Sequence, residues 1–321
     1  MKKYRLSEES RPFTVQENGS RRRITLHQLI AERQFADVLP GTPGGWVESE
    51  QQLSHDGDSW IYHHNSLVWG GARVTENARV LGECMLSDGA WLGGKSTVDS
   101  SQIQGAVQIG GSAQVLGCKV SGHSRITAAA RVEHCEITGS DRAVSAAVRI
   151  EGQAQLYACR VAHQASIGEQ ARLRYVLVDH RAAIYGQAEL LGNDINHIWV
   201  CDCAQVYDSA RLIAGELDGQ SPVLRYGARV FGNAEVYGDC LLRQRVQVGG
   251  EARLRGGPLV LDGQVEIGGH ARLEGDILVE DRVVIAGRME LRATDSALHI
   301  RGPKFLDGDS LITQVPYYGL Y

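Results

Sequence analysis

The chain has 321 residues, a formal net charge of −5 at pH 7, 38 glycines and 4 phenylalanines. This much glycine without a G-X-Y period favours many tight turns over a compact core of large aromatic side chains. The mildly acidic charge gives no reason to expect nucleic acid or a membrane surface as partner, and the N-terminus lacks the apolar region of a signal peptide, so we expect a cytoplasmic protein.

Residues 1–66 are predicted to form an N-terminal capping segment. Thr25 and Gln28 have the spacing of a capping box, and Pro40 would stop a helix that begins there. The sequence therefore predicts one short helix over about 25–37, which covers the first coil and is followed by irregular first coils.

From residue 67 to residue 302 the pattern small–x–aliphatic returns about every six residues, as in ARV (72–74) and ARL (171–173). In an extended segment, residues i and i+2 share a face, so the small and aliphatic residues point inward and the residue between them faces water. A helical period does not fit this spacing. Three such sides close one triangular coil, and the pattern predicts an all-β, single-stranded parallel β-helix of about a dozen coils.

A coil step of 17 residues is read from the aliphatic anchors, because one of the three six-residue sides is a residue short. The anchors are Leu86, Ile103, Val120 and Ile137, and then Val161, Val178 and Ile195. Interruptions at 140–147 and 213–222 predict corner loops, and residues 303–321 are predicted to fold back as a C-terminal cap.

The seven cysteines are an odd number, which argues against a disulfide framework. Cys201 and Cys203 form a C-x-C pair near His197 that leaves a metal site open, although packing is favoured. The others fit small inward positions of the coil, where cysteine behaves as a small hydrophobe: Cys84, Cys118, Cys135, Cys159 and Cys240.

The phrases VQIGGSAQV (107–115), ASIGEQARL (165–173) and VQVGGEARL (246–254) resemble the repeat signature of the hexapeptide-repeat superfamily. The resemblance implies a left-handed β-helix. Many members are acyltransferases that work as homotrimers and bind coenzyme A in the groove between adjacent solenoids. It thus implies acetyl-CoA or another acyl-CoA as co-substrate and a small-molecule acceptor, but it assigns no residue of this chain to coenzyme binding.

Three histidines recur at the coil step, namely His163, His180 and His197. RVAHQASIG (160–168) resembles the phrase that carries the general base in acyltransferases of the superfamily, and this places His163 in the catalytic position. DHRAAIYG (179–186) places His180 analogously, and these two are the predicted catalytic residues. A neutral imidazole is well matched to taking a proton near neutral pH.

Two neighbours of these histidines bear on that prediction. Gln164 stands where the family often has Asp or Asn, and an amide cannot stabilise an imidazolium by charge. Asp179 precedes His180 and either orients its ring or points elsewhere, since alternation along a strand allows both.

Two other functions stay open at this point. One is a non-enzymatic solenoid that serves as a scaffold or binding rod, and the other is a metal-dependent lyase like the carbonic-anhydrase-like members, whose site is assembled across subunits. No metal site is predicted within one chain, because His163 and His197 would lie two coils, about 10 Å, apart. The outward arginines are predicted to make no basic stripe, because they alternate with Thr, Gln and Glu: Arg79, Arg131, Arg172, Arg253 and Arg272.

Overall fold

The regular secondary structure of the described residues is almost entirely β-strand, and most of the strands are short. The computed structural model describes residues 2–17, 20–140, 147–294 and 296–313, and among these it contains one 3-10 turn, Glu50–Gln52, and no α-helix. Strands of successive coils pair in parallel, so the predicted all-β parallel solenoid is confirmed. The described residues divide into two compact units, one up to Gln153 and the other from Ala154 onward.

The first unit begins with an antiparallel hairpin and continues into solenoid coils. Its strands are β1 (Tyr4–Glu17), β2 (Ser20–Ala31), β3 (Pro43–Val47), β4 (Trp60–Ile61), β5 (Leu67–Val68), β6 (Arg73–Val74), β7 (Arg79–Val80), β8 (Met85–Ser87), β9 (Trp91–Leu92), β10 (Thr97–Asp99), β11 (Gln102–Gln104), β12 (Val107–Ile109), β13 (Gln114–Leu116), β14 (Lys119–Ser121), β15 (Ser124–Ile126), β16 (Arg131–Glu133), β17 (Glu136–Gly139) and β18 (Val148–Ile150).

The helix predicted over about 25–37 is wrong, because β2 occupies most of this segment and pairs antiparallel with β1. Ile24 and Leu26 are buried and Thr25 between them is exposed, which is the period of two that a strand requires. The hairpin lays Ile24 and Leu26 on Leu67 of β5, so it covers an early coil of the solenoid. A hairpin therefore does the covering that was predicted for a helix.

In the first unit the 17-residue step appears directly in the strand register. Ile103 pairs with Leu86 on one side and with Val120 on the other, and Val120 pairs with Ile137. These side chains are buried, while the residues between the inward positions are exposed. The inferred coil length and the inward alternation are both confirmed here.

The second unit has the same construction. Its strands are β19 (Gln155–Tyr157), β20 (Arg160–His163), β21 (Ser166–Ile167), β22 (Arg172–Arg174), β23 (Val176–Val178), β24 (Ala183–Ile184), β25 (Glu189–Leu191), β26 (Ile198–Val200), β27 (Gln205–Val206), β28 (Arg211–Ile213), β29 (Val223–Leu224), β30 (Arg229–Val230), β31 (Glu235–Gln244), β32 (Gln247–Val248), β33 (Arg253–Ile267), β34 (Arg272–Ile285), β35 (Glu290–Arg292), β36 (Leu298–Arg301), β37 (Lys304–Leu306) and β38 (Leu311–Ile312).

Three strands make one coil of this unit, and their stacked columns form three faces. Face A begins with β19, β22, β25 and β28, face B with β20, β23, β26 and β29, and face C with β21, β24, β27 and β30. The long strands β33 and β34 bend through all three faces.

The coil step lengthens from 17 to 22 residues after Val178, which pairs with Val200 rather than continuing to Ile195. The prediction that Ile195 is an inward anchor is wrong, since its side chain is 60% exposed. A loop between β25 and β26 inserts five residues, so the repeat resumes out of the earlier phase.

This inserted loop is tied to the next one by a buried amide. The Asn196 side-chain nitrogen donates to the carbonyl oxygens of Gly215 at 2.9 Å and Leu217 at 2.7 Å, and its oxygen accepts from the Gly219 amide at 3.1 Å. Gly215, Leu217 and Gly219 belong to the loop between β28 and β29, where the interruption at 213–222 predicted one.

Two other predictions lie partly outside the described residues. Of the loop predicted at 140–147, residues 141–146 lie outside the described residues. Of the cap predicted for 303–321, residues 314–321 lie outside them. Among the described residues, no helix has the length and hydrophobicity required to cross a bilayer.

All seven cysteines are free, and only Cys203 is exposed. Burial raises the pKa of the Cys84 thiol to about 11 and that of Cys240 to about 12. The assignment of these thiols to packing is confirmed by their position inside the coil.

Candidate active site at a solenoid corner

The predicted catalytic histidines lie at the corner where the chain passes from face B to face C of the second unit. Each coil turns this corner through a residue with positive φ, which a β-branched or bulky residue adopts only at a cost. The corner residues are His163 (φ 60), His180 (φ 55), Asp202 (φ 62), Tyr226 (φ 55), Gln244 (φ 66), Gly263 (φ 100) and Asp281 (φ 68). The spacing of His163 and His180 thus follows from a regular backbone turn, which other residue types form in the later coils.

His163 and His180 are neighbours in this column because Val161 pairs with Val178 two residues before them. Their imidazole rings stack with centroids 4.9 Å apart and an angle of 17° between planes. Both side chains stand out from the corner, 58% and 56% exposed. The corner therefore holds two adjacent imidazoles open to solvent.

His197 does not join them, so its prediction as a third member of the column is wrong. The five-residue insertion moves it out of phase, and its ring lies 5.7 Å from that of Tyr175. Asp202 takes the corner position after His180, and the Arg181 amide donates to its carbonyl oxygen at 2.7 Å.

Asp179 connects the two histidines. Nδ1 of His163 is hydrogen-bonded to Oδ1 of Asp179, and the backbone amide of His180 donates to the same oxygen at 2.6 Å. Nδ1 of His180 lies 3.4 Å from Oδ2. One carboxylate therefore faces both imidazoles.

Partial burial alone would raise the pKa of the Asp179 carboxyl. The hydrogen bonds from the His163 ring and the His180 amide, together with the electrostatic effect of both nearby histidines, outweigh this effect and lower the pKa below its usual value. Asp179 is consequently an anion at neutral pH, and an anion only accepts hydrogen bonds. We assign the proton to Nδ1 of His163 for that reason, which leaves the Nε2 lone pair free.

The Asp179 carboxylate also supplies the negative charge that Gln164, as an amide, cannot provide. Gln164 uses its backbone amide to donate to the His180 carbonyl oxygen at 2.9 Å. The residue that faces the His163 ring comes from the next coil, at a sequence distance of 16 residues. The coil step of 17 brings residue 180 beside residue 163, so Asp179 was within reach of the sequence argument. Strand alternation left its direction undecided.

Other histidine–carboxylate pairs occur on this unit and give a useful comparison. His270 lies 3.1 Å from Glu251, and His299 lies 2.9 Å from Glu280. Their glutamates are 60% and 33% exposed, against 28% for Asp179. Asp179 differs further because a backbone amide fixes its carboxylate and because two rings share it.

The same three residues offer donor atoms for a metal ion. One atom each from His163, Asp179 and His180 lies within 4.8 Å of the others, and this is the group of that kind found among the described residues. Two imidazoles and a carboxylate suit zinc, whose ligand atoms lie about 3–4 Å from one another. His163 and Asp179 are closer than that, so joint coordination would require their hydrogen bond to break. Cys201 and Cys203 are outside the group.

An apolar stripe runs along face B beside this corner. The register aligns six outward-facing residues in six successive coils: Leu177, Trp199, Val223, Leu241, Val260 and Leu278. Trp199 is 39% exposed and the others are partly exposed. The Arg225 guanidinium lies 5.5 Å from the Trp199 ring and 4.8 Å from the Tyr226 ring at the corner. The outer surface of face B is thus apolar along this stripe. A solenoid face that is exposed to water is expected to carry polar residues instead.

The fold and the repeat together define a hexapeptide-repeat β-solenoid of the acyltransferase superfamily. No protein-family model matches the chain. It is 41% identical over 325 residues, with 100% of both chains covered, to a protein of Escherichia coli (strain K12) described as "Uncharacterized acetyltransferase YdcK". The chain therefore belongs to the same family as YdcK, which confirms the resemblance read from the repeat.

Proposed function

We propose that the protein is an acetyltransferase that uses acetyl-CoA to acylate a hydroxyl or amine of a small molecule, with His163 as general base. The observation that carries the proposal is the contact of His163 with Asp179, which engages Nδ1 of an exposed ring and leaves Nε2 without a hydrogen-bond partner among the described residues. The name of the 41% identical relative and the solenoid fold support the same class of reaction.

The proposed reaction follows from this arrangement. Nε2 of His163 takes the proton from the acceptor's hydroxyl or amine while the acceptor's lone pair attacks the thioester carbonyl carbon. The tetrahedral intermediate collapses, the carbon–sulfur bond breaks, and the coenzyme A thiolate takes the proton back from the imidazolium. Asp179 holds the ring in one tautomer and stabilises its positive charge while the proton resides there.

His180 has a second place in this proposal. It stacks on His163, but its Nδ1 lies 3.4 Å from Asp179 and makes a weaker contact than His163 does. His163 is therefore the preferred base, and His180 is the alternative that the same carboxylate serves.

We further propose that the protein works as a homotrimer whose neighbouring copies pack on face B. The apolar stripe has six members, so at a spacing of about 4.8 Å it is about 24 Å long. Surface patches of this kind mark interfaces. A second copy on face B would lie beside the histidine corner and would build a groove there for the coenzyme and acceptor. The cytoplasmic location stays a prediction.

The test combines binding with turnover. Coenzyme A and acetyl-CoA are expected to raise the melting temperature of the wild type and of His163→Asn equally, because the imidazole serves the chemistry. Release of coenzyme A thiol with a panel of amines and alcohols is expected to fall about 10²–10⁴-fold in His163→Asn. His270→Asn is the matched control, since it removes an exposed histidine with its own carboxylate partner.

Two results would contradict the proposal. If neither coenzyme A nor acetyl-CoA stabilises the wild type, the non-enzymatic binding rod becomes the better account. If the wild type transfers acetyl groups and His163→Asn does so at the same rate, His163 is not the base.

A metal-dependent lyase is the second candidate, and the donor set of His163, Asp179 and His180 favours it. In that case zinc would raise the melting temperature of the wild type and not of Asp179→Ala. For the acetyltransferase, a chelator is expected to leave the transfer rate unchanged.

A further inference from the structure

Face A of the second unit carries charged residues in a column that alternates in sign, with one break. The register aligns Arg172, Glu189, Arg211, Glu235, Arg253, Arg272 and Glu290 along successive coils. Arg253 and Arg272 are direct neighbours, so the expectation that these arginines alternate with other residues is wrong here. Arg255, two residues along β33, points to the same side.

The carboxylates around this break already have arginine partners. Glu235 lies 3.4 Å from Arg211. Glu290 and Glu274 lie 2.5 Å and 3.6 Å from Arg292. The glutamates next to the break are therefore paired with arginines other than Arg253 and Arg272.

Arg253, Arg255 and Arg272 are left without neutralising partners. Within the described residues none of the three makes an ion pair or a hydrogen bond through its guanidinium, and Arg255 has only the Tyr237 ring at 5.9 Å. Together with Leu273, Glu274, Glu290 and Arg292 they line a cleft of about 210 Å³, in which both glutamates are already paired with Arg292. Three like charges side by side repel one another, and an anion between them would remove that repulsion.

We propose that this cleft binds a phosphate group, either as inorganic phosphate or as the phosphomonoester of a small molecule. A guanidinium recognises phosphate oxygens through two parallel N–H groups, and its planar fork suits this geometry better than an ammonium does. A tetrahedral dianion has enough oxygens to face Arg253 and Arg255 on one strand and Arg272 on the next. A carboxylate, with one charge and two oxygens, would leave one guanidinium unpaired.

This site is separate from the histidine corner. Arg253 and Arg272 lie on face A, and His163 and His180 lie where face B passes to face C. The phosphate site does not rest on the proposed acetyl transfer, and its failure would leave that proposal untouched.

Calorimetric titration of the full chain with inorganic phosphate and with ribose 5-phosphate, at low ionic strength, tests the site. Arg253→Gln and Arg272→Gln are each expected to weaken phosphate binding about tenfold to a hundredfold. Arg172→Gln is the matched control, because it removes the same charge from the same face about four coils away. Circular dichroism confirms that the variants fold.

The two ligands separate the two sources of phosphate. Tighter binding of ribose 5-phosphate identifies an organic phosphate ligand, and equal binding identifies inorganic phosphate; both results support the site. If neither inorganic phosphate nor ribose 5-phosphate binds, the proposal is overturned. A loss in Arg172→Gln equal to the loss in Arg272→Gln overturns it as well, because the effect would then come from net charge alone.

Discussion

Replacing His163 by glycine separates the architectural role of this residue from its chemical one. His163 has φ +60, and a side chain in that left-handed conformation costs about 1–2 kcal/mol. Glycine removes this cost, although its greater freedom in the unfolded chain takes back about 0.4–1 kcal/mol. The lost contact with Asp179 is exposed on the histidine side and contributes up to about 1 kcal/mol. The free energy of unfolding of His163→Gly is therefore expected to stay within about 1 kcal/mol of the wild type.

His163→Ala keeps the left-handed backbone and loses the same contact, so it is expected to be less stable than His163→Gly by about 1 kcal/mol. Both variants are expected to lose acetyl transfer about 10²–10⁴-fold. Chemical denaturation measures the stability and thiol release measures the rate. Gln244→Gly is the control, since it relieves the same corner conformation (φ 66) without removing a histidine. An alanine variant as stable as the glycine variant would refute the argument from strain.

Asp179→Asn is expected to lower the transfer rate about 10²–10⁴-fold. Because the pKa of Asp179 is lowered on folding, its contribution to stability is present above the ordinary carboxyl pKa and lost as the pH falls through the folded value; melting curves of Asp179→Asn should lack this acid-sensitive part. Trp199→Glu puts a charge in the apolar stripe, so under the proposed homotrimer it is expected to give a monomer in light scattering, with the circular dichroism spectrum unchanged. Asn196→Ala leaves buried carbonyl groups of the neighbouring loop without a donor and is expected to cost about 1–3 kcal/mol in denaturation. Iodoacetamide at pH 8 is expected to label Cys203 in the native protein and to spare Cys240, whose thiol has a pKa raised by burial to about 12.

The solenoid was predictable because its repeat is local and redundant. Each coil marks its inward face by the same pattern, a small residue followed two positions later by an aliphatic one. Ala171 and Leu173 are an example, and both are buried. Many repetitions of one weak signal outweigh the exceptions. The step of 17 residues then gives the strand register, since parallel stacking pairs each coil with the next at the same phase.

The N-terminal hairpin could not be predicted in the same way, because it lies outside the repeat. Leu26 and Leu29 fit both a helical face and, with a register shift, a strand face. The burial of Leu26 depends on its packing against Leu67 in an early coil, which the local pattern does not describe. The capping-box spacing at Thr25 and Gln28 was a coincidence of composition.

The candidate site was also predicted only in part. The stacking of His163 and His180 follows from the coil step and was predicted in position. The prediction for His197 was wrong because five residues are inserted before β26, and the repeat pattern does not indicate that insertion. Strand alternation could not give the direction of Asp179, because β23 ends at Val178 and the chain turns the corner at His180 with φ 55.

The central claim is that Asp179 holds His163 with its Nδ1 protonated and its Nε2 free to take a proton. Nitrogen NMR of the histidine side chains at neutral pH tests this directly, with His163→Asn used to assign the signals. The account predicts that His163 is in the Nδ1–H tautomer and that Asp179→Ala abolishes this preference. Finding His163 in the Nε2–H tautomer, or unchanged in Asp179→Ala, would contradict the account.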